Sequence, residues 1–489
     1  MKNRSPFSQS LTSRIFLGML VAVASLTLSS CHSSLYYAYK FPTYNFANRP
    51  VPPSKLANRV MVSVTTNGTT GALPILDALR DIRYNISNTN STFSISGFGA
   101  GFPNRIFSFP EQITGFVYSN SDGSLTTVDY GKESASGSAG TLGGKAADVA
   151  VPFGFAHTYG AIESAGIFVV IDKTSGKNYA LNLPNVYKVA VNQGDTVVLA
   201  MVRNSNTLYR LIQLNSNQPA VPGAVDCQPI NLPVYCIVPV PDTASPSLDR
   251  PVGAYFSLDG SMAYILNCGP ECGGKSSGLT IIPQAPLQIY NYPTSTPYPS
   301  PVTGNVPIPG GVTAALADGT TLYLAGQQLQ PDGLFTGFLT TMALSNNTIT
   351  GTYSISDGYH TKLLFGDDNT LWIGAQSCAN GERQKLGLNY NCLSRFDIGA
   401  KTAAIAPNVN PKDSNSSVPF PNQNQNQYYY GDLTGLCWVQ NLHKMYTAYG
   451  GQVHAFRTAD GSEIDNSQIT VQGTALDVAY IDAVTNNAD

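Results

Sequence analysis

The sequence predicts an all-β fold, a β-propeller of four-stranded antiparallel blades, on three observations. A strand–turn–strand unit returns along most of the chain, its turns are rich in Asp-Gly and Asn, and almost no stretch has the apolar period of a long helix. The unit has two parts. In the first, a strand enters a polar turn and leaves as an apolar strand: AYFSLDGSMAYIL at 254–266, TAALADGTTLYL at 313–324, KLLFGDDNTLWI at 362–373 and, more loosely, KVAVNQGDTVVL at 188–199. Asp, Asn and Gly tolerate the positive φ that tight hairpin turns need, which makes this the strongest short-range hairpin signal.

The second part is another hairpin. It is clearest as IFVVIDKTSGK at 167–177 and VHAFRTADGS at 453–462, with LSRFDIGAKT at 393–402 and LTTMALSNNT at 339–348 as good matches. Weaker copies begin at Leu73, Leu125, Leu208 and Leu279. These eight starts lie roughly 40 to 70 residues apart, the spacing of four-stranded blades with variable loops. Eight blades are therefore preferred. Seven is the alternative, because the first and fourth units are irregular. Near the C-terminus Thr474 to Ile481 reads as a lone first strand, while Val60 to Val64 leads straight into a second hairpin. One blade completed by both chain ends closes the ring, leaving only short, protected edges.

FSLDGSMAYILN at 256–267 and IFVVIDKTSGK at 167–177 resemble the repeats of YVTN-type and lactonase-like propellers, a likeness that spreads over most of residues 58–482. The resemblance implies the fold and no chemistry, since propellers serve as enzymes, scaffolds and binding modules alike. No catalytic residue is carried over from it.

The N-terminus carries an address. Lys2, Arg4 and Arg14 form a basic head, Ile15 to Leu28 a short apolar run, and Leu28-Ser29-Ser30-Cys31 follows. The run is short for a permanent membrane helix and has the layout of a secretory signal peptide. The small residues before Cys31 resemble the lipobox of bacterial lipoproteins, which implies removal of residues 1–30, lipidation of Cys31 and a membrane anchor. His32, in place of Asp after that cysteine, points to the outer membrane. Residues 31–57, rich in Tyr, Pro and Asn, read as a tether, and 58–489 as the propeller.

Composition agrees with export. Charged residues are 12%, about half the usual share of soluble domains, and Asn, Ser, Thr, Gln, Gly and Tyr replace them. The net charge of −3 offers no basic face for nucleic acid. Cys227/Cys236, Cys268/Cys272 and Cys378/Cys392 form three sequence-local couples, and local disulfides in an oxidising compartment are the simplest expectation. Cys437, inside LCWV, reads as a buried free thiol. The five histidines show no ligand spacing with these cysteines, so neither metal nor cofactor is expected.

The chemistry is sparse. Residues 269–276, GPECGGKS, satisfy the formula of a phosphate-binding P-loop, but a strand and Pro283 follow where a helix is required, so the segment reads as a disulfide-pinned loop. Asp259, Asp318, Asp368 and Asp460 sit where Asp satisfies turn amides. His360 falls near the ring's mouth and His157 beside Phe153 and Phe155, neither with a local nucleophile or base. Two stretches, 293–309 and 406–430, read as long insertions. The second ends in Tyr428-Tyr429-Tyr430, whose flat apolar faces with polar edges suit a protein or glycan. The functional expectation is a lipid-anchored envelope module that binds an envelope protein or cell-wall glycan. The alternatives are a lactonase- or lyase-type enzyme at the central channel, or a purely structural envelope protein.

Overall fold

A computed structural model describes residues 50–84, 94–110, 112–215, 221–228, 232–242, 247–292, 299–378, 391–407, 431–464 and 467–483. The leader, Cys31, the tether up to residue 49 and Tyr428 to Tyr430 lie outside the described residues. Eight antiparallel sheets form a ring, an eight-bladed β-propeller with no α-helix among the described residues. The blades follow the chain. Blades 1 to 7 begin with the inner strands Pro103–Phe107, Asp148–Ala150, Val186–Val191, Pro251–Phe256, Gly311–Ala317, Tyr359–Gly366 and Leu433–Val439. In blade 8 the inner strand is the C-terminal Thr474–Tyr480, and it pairs antiparallel with the N-terminal Arg59–Thr66. The two chain ends thus complete one sheet.

Seven of the eight second-hairpin starts fall within the third strand of successive blades, and the eighth, Leu73, falls in the break of blade 8's third strand, so the spacing counted real units. The second strand of each blade lies between two neighbouring sheets, and most of its residues are buried on both faces. Arg59–Thr66, for example, is buried at every position but its last. Apolar clusters fill every junction around the ring. Tyr159, Phe168 and Leu181 meet Val198 and Tyr235 between blades 2 and 3, and Cys437 and Tyr446 meet Val60 and Val478 between blades 7 and 8. Fully burying a side chain of this size contributes about 1.5–3 kcal/mol, so the ring is held mainly by these seams.

The regular plan breaks in three places. Pro74 cannot donate to a ladder, and the third strand of blade 8 is split around it into Thr70–Ala72 and Ile75–Asp77. Blade 3 carries a fifth strand, Asp226–Gln228, stapled to Val234–Pro239 by the Cys227–Cys236 disulfide. Blade 7 has three strands among the described residues, with only a Phe456–Glu463 bridge at its outer edge. The stretch 293–309, expected to be an insertion, includes the outer strand Gly304–Pro307 of blade 4. Its prolines fit there because an edge strand can leave donors unused.

Buried charge closes the ring. Arg59 is fully buried; its Nε and Nη2 donate to Asp482 at 3.0 and 2.7 Å, and its Nη1 donates to Glu133 at 2.9 Å and to the Tyr130 carbonyl at 2.7 Å. Glu133, on blade 1, also accepts the Ser54 amide at 2.9 Å. One guanidinium therefore joins the first strand, the chain's last described segment and blade 1. Leu56 packs into the seam between blades 8 and 1, and Pro50 lies over Gly131 in the last turn of blade 1.

Candidate functional site

The propeller has two unlike faces. On one lie the turns of the first hairpins, with their Asp and Asn residues. On the other, the mouth face, the inner strands begin and the second strands end. The channel between the inner strands of six blades contains a space of about 440 Å³ lined mostly by small or apolar residues such as Val189, Ala254, Ala314 and Thr361. Directly above it, at the mouth, is a second cavity of about 540 Å³ whose lining is different. Lys188, Tyr187 and Arg203 come from blade 3, Arg250 and Glu271 from blade 4, and Tyr359 from blade 6.

Glu271 is placed by covalent means. The 3-10 turn Gly269–Cys272 follows the second strand of blade 4, and the Cys268–Cys272 disulfide pins it. This is the segment that mimics a phosphate loop, and its amides do hold an anion, an internal one. The Asp249 carboxylate accepts the Lys275 and Ser276 amides, each at 2.7 Å. The turn packs against the start of the next inner strand, where only glycine fits. A Cβ at Gly311 would stand 2.2 Å from the Cys268 carbonyl oxygen and 3.0 Å from Glu271 Oε2.

Burial lifts the Glu271 carboxyl to about 8, opposed by a hydrogen bond from the Gln327 amide. It is therefore largely protonated at neutral pH. Its Oε2 is buried with no hydrogen-bond partner among the described residues. Beside it, burial raises the Tyr359 phenol to about 12, with Glu271 and Asp148 adding to the effect, and burial likewise raises Tyr187. Arg203 lies over the Tyr187 ring at 4.4 Å and is paired with Glu163 through two hydrogen bonds. Arg250 donates to the Gly273 carbonyl at 3.3 Å, but its Nε is buried and unbonded among the described residues. Lys188 makes no ion pair among the described residues. The mouth thus holds two uncompensated cations, one neutral carboxyl and two phenols.

The residues singled out from sequence fall elsewhere. Asp259, Asp318 and Asp460 accept the amides of Ser261, Thr320 and Ser462, as turn residues should. Asp368 does something else: it bonds His443 and Thr458 of the next blade, so its turn is also a latch between blades 6 and 7. His360 is completely buried, its Nε2 donating to the Ser356 carbonyl at 2.8 Å, and burial lowers its pKa to about 4. His157 belongs to the face opposite the mouth, where Asp195 of blade 3 bonds both it and Tyr159. Burial opposes the charge of His157, but Asp195 and Asp172 outweigh it and raise its pKa. The Cys378–Cys392 bond spans the connection between the second and third strands of blade 6, on the mouth face. Cys437 is a buried free thiol.

Sequence reasoning missed Glu271, Lys188, Tyr187 and Arg250. The one available signal was an acid enclosed by a four-residue cysteine couple at a blade's second connection.

The class defined by fold and site is an eight-bladed β-propeller with a polar mouth. No family model and no curated protein matches the chain. Among solved structures it is similar to the dihydro-heme d1 dehydrogenase NirN in complex with DHE, at 13% identity and TM-score 0.50, over 86% of this chain and 75% of that one. Apo AztD from Citrobacter koseri is similar at 11% identity and TM-score 0.47, over 86% of this chain and 97% of that one. Hydrazine synthase of Kuenenia stuttgartiensis follows at 12% and 0.46, over 76% and 100%. At this identity the likeness to NirN shows a common fold and says nothing of chemistry.

Proposed function

We propose that the protein is a lipid-anchored envelope propeller that binds a ligand of the envelope, with its YVTN-like repeats serving as scaffold and its mouth as the site. The observation that carries the reading is the mouth cavity, about 540 Å³ assembled from several blades around a disulfide-pinned turn. Small-molecule sites have this size and this mixture of apolar walls with a few convergent polar groups. Three disulfides favour an oxidising compartment. The basic head, apolar run and Cys31 favour lipidation after export, with the outer membrane as destination. Pro50 lies on the face opposite the mouth, against Gly131.

The anchor is tested by growth with an alkyne fatty acid. The wild-type chain should take up label and sediment with membranes, and Cys31→Ser should do neither; label retained by the serine variant would sink the anchor. Tyr428 to Tyr430 remain a second proposed contact. Their triple alanine variant should weaken partner capture without lowering the melting temperature, whereas a lowered one would mark them as core.

The enzyme reading draws on one observation, the protonated Glu271, which has the state a general acid needs at neutral pH. Turnover in a lactone screen that Glu271→Gln abolishes would favour it.

A further inference from the structure

We propose that the mouth cavity holds the carboxylate of a small acidic sugar against Lys188 and Arg250, which face it from neighbouring blades. The inference rests on the mouth being the binding site and names the chemistry it selects. The charge balance decides the sign. Of the cations lining the cavity, Arg203 is matched by Glu163, while among the described residues Lys188 has no acidic partner and Arg250 meets only a carbonyl through its Nη2. The acids behind the wall are already engaged. Asp148 bonds Arg105 and the Val189 amide, and Asp249 holds the turn amides. Two positive charges, one with a buried Nε unbonded among the described residues, therefore face a half-open cavity with no committed anion. A ligand carboxylate supplies what each lacks, and charge-assisted bonds of this kind are about twice as strong as neutral ones.

The rest of the lining suits a sugar ring. Tyr359 and Tyr187 add aromatic wall, the latter with Arg203 over one face and its hydroxyl donating to the Pro251 carbonyl at 3.3 Å. Glu271 in its protonated state can donate to a ring or carboxylate oxygen. Above about pH 8 it ionises, removes half of the excess positive charge and repels the ligand, so affinity should fall as pH rises from 7 to 9. Tyr359, raised to about 12, and Tyr187, raised as well, stay neutral across that window.

The test is calorimetric titration of the full-chain protein in detergent with N-acetylmuramate, with N-acetylglucosamine (the same ring without the carboxylate) and with inorganic phosphate. The expected result is binding of the acidic sugar at least tenfold tighter than its neutral counterpart. Lys188→Met should lose that margin, and Glu271→Gln should abolish the fall in affinity between pH 7 and pH 9. Equal binding of both sugars, insensitive to Lys188→Met, would overturn the carboxylate and leave a mouth that binds neutral glycan. Binding of phosphate in preference to the acidic sugar would overturn the sugar. Silence from all three probes would overturn the inference outright, and capture from the envelope would then decide the wider reading on its own.

Discussion

At the scale of residues, the structure turns on polar groups placed where water does not reach. His360 is the clearest. Its folded pKa of about 4 lies below the ordinary 6.5, so the folded chain keeps it neutral while the unfolded chain protonates it. Stability from this residue is complete above about pH 6.5 and is lost as pH falls towards 4, by at most about 3 kcal/mol. In a pair of chemical melts at pH 7 and pH 4.5, His360→Gln should lose less stability on acidification than the wild type. An equal loss would show that the imidazole is not what titrates. Residue roles were only partly legible. Asp259 and Asp460 were readable because a turn acid acts on its own next two amides. Asp368 and Asp195 look the same in sequence, yet their carboxylates reach a neighbouring blade, the next for Asp368 and the preceding for Asp195, and that partner is set by ring geometry. Glu271 was hidden for the same reason, since its burial comes from Gly311 and Gln327 of a different blade.

At the scale of elements, the middle strands were legible and the edges were not. A middle strand must be apolar on both faces, so IFVVID or AYIL stands out from its surroundings. Outer strands face solvent and carry little pattern: Thr348–Ser354 has no buried residue, and Lys177–Asn182 has two. That is why Gly304–Pro307 reads from sequence as part of a loop. The connections on the mouth face carry the proposed site, and two of the three disulfides clamp them. The Cys268–Cys272 bond closes so short a loop that chain entropy gives it only about 2 kcal/mol. Its larger effect is to hold Glu271 in place. The double variant Cys268→Ser/Cys272→Ser should therefore shift the melting temperature by a few degrees yet weaken acidic-sugar binding at least tenfold. A large drop in stability with unchanged affinity would assign the bond to the fold instead.

At the scale of the whole molecule, a ring must be closed, and this one is closed by non-covalent pairing of its two ends. The choice between eight and seven blades could not be made from repeats alone, because blade 8 is split between chain termini and broken by Pro74. The pairing of Thr474–Tyr480 with Arg59–Thr66 makes it eight. Arg59 is the clasp. Replacing it with methionine leaves Asp482 and Glu133 buried without their cation, a loss of about 3–5 kcal/mol in folding. The melt should shift as one cooperative transition, because a ring opened at one seam exposes its neighbours; a variant as stable as wild type would mean that the clasp is incidental.

The central claim is that this ring is an envelope binding module that works through its mouth. The most direct measurement is affinity purification of the full-length chain from detergent-solubilised envelope, as wild type and as Lys188→Glu, with the retained material quantified by mass spectrometry. The account predicts a stoichiometric envelope component, glycan or protein-borne, that wild type retains and the charge-reversed mouth releases. The same material recovered in equal amount from both would place binding elsewhere on the ring and contradict the account.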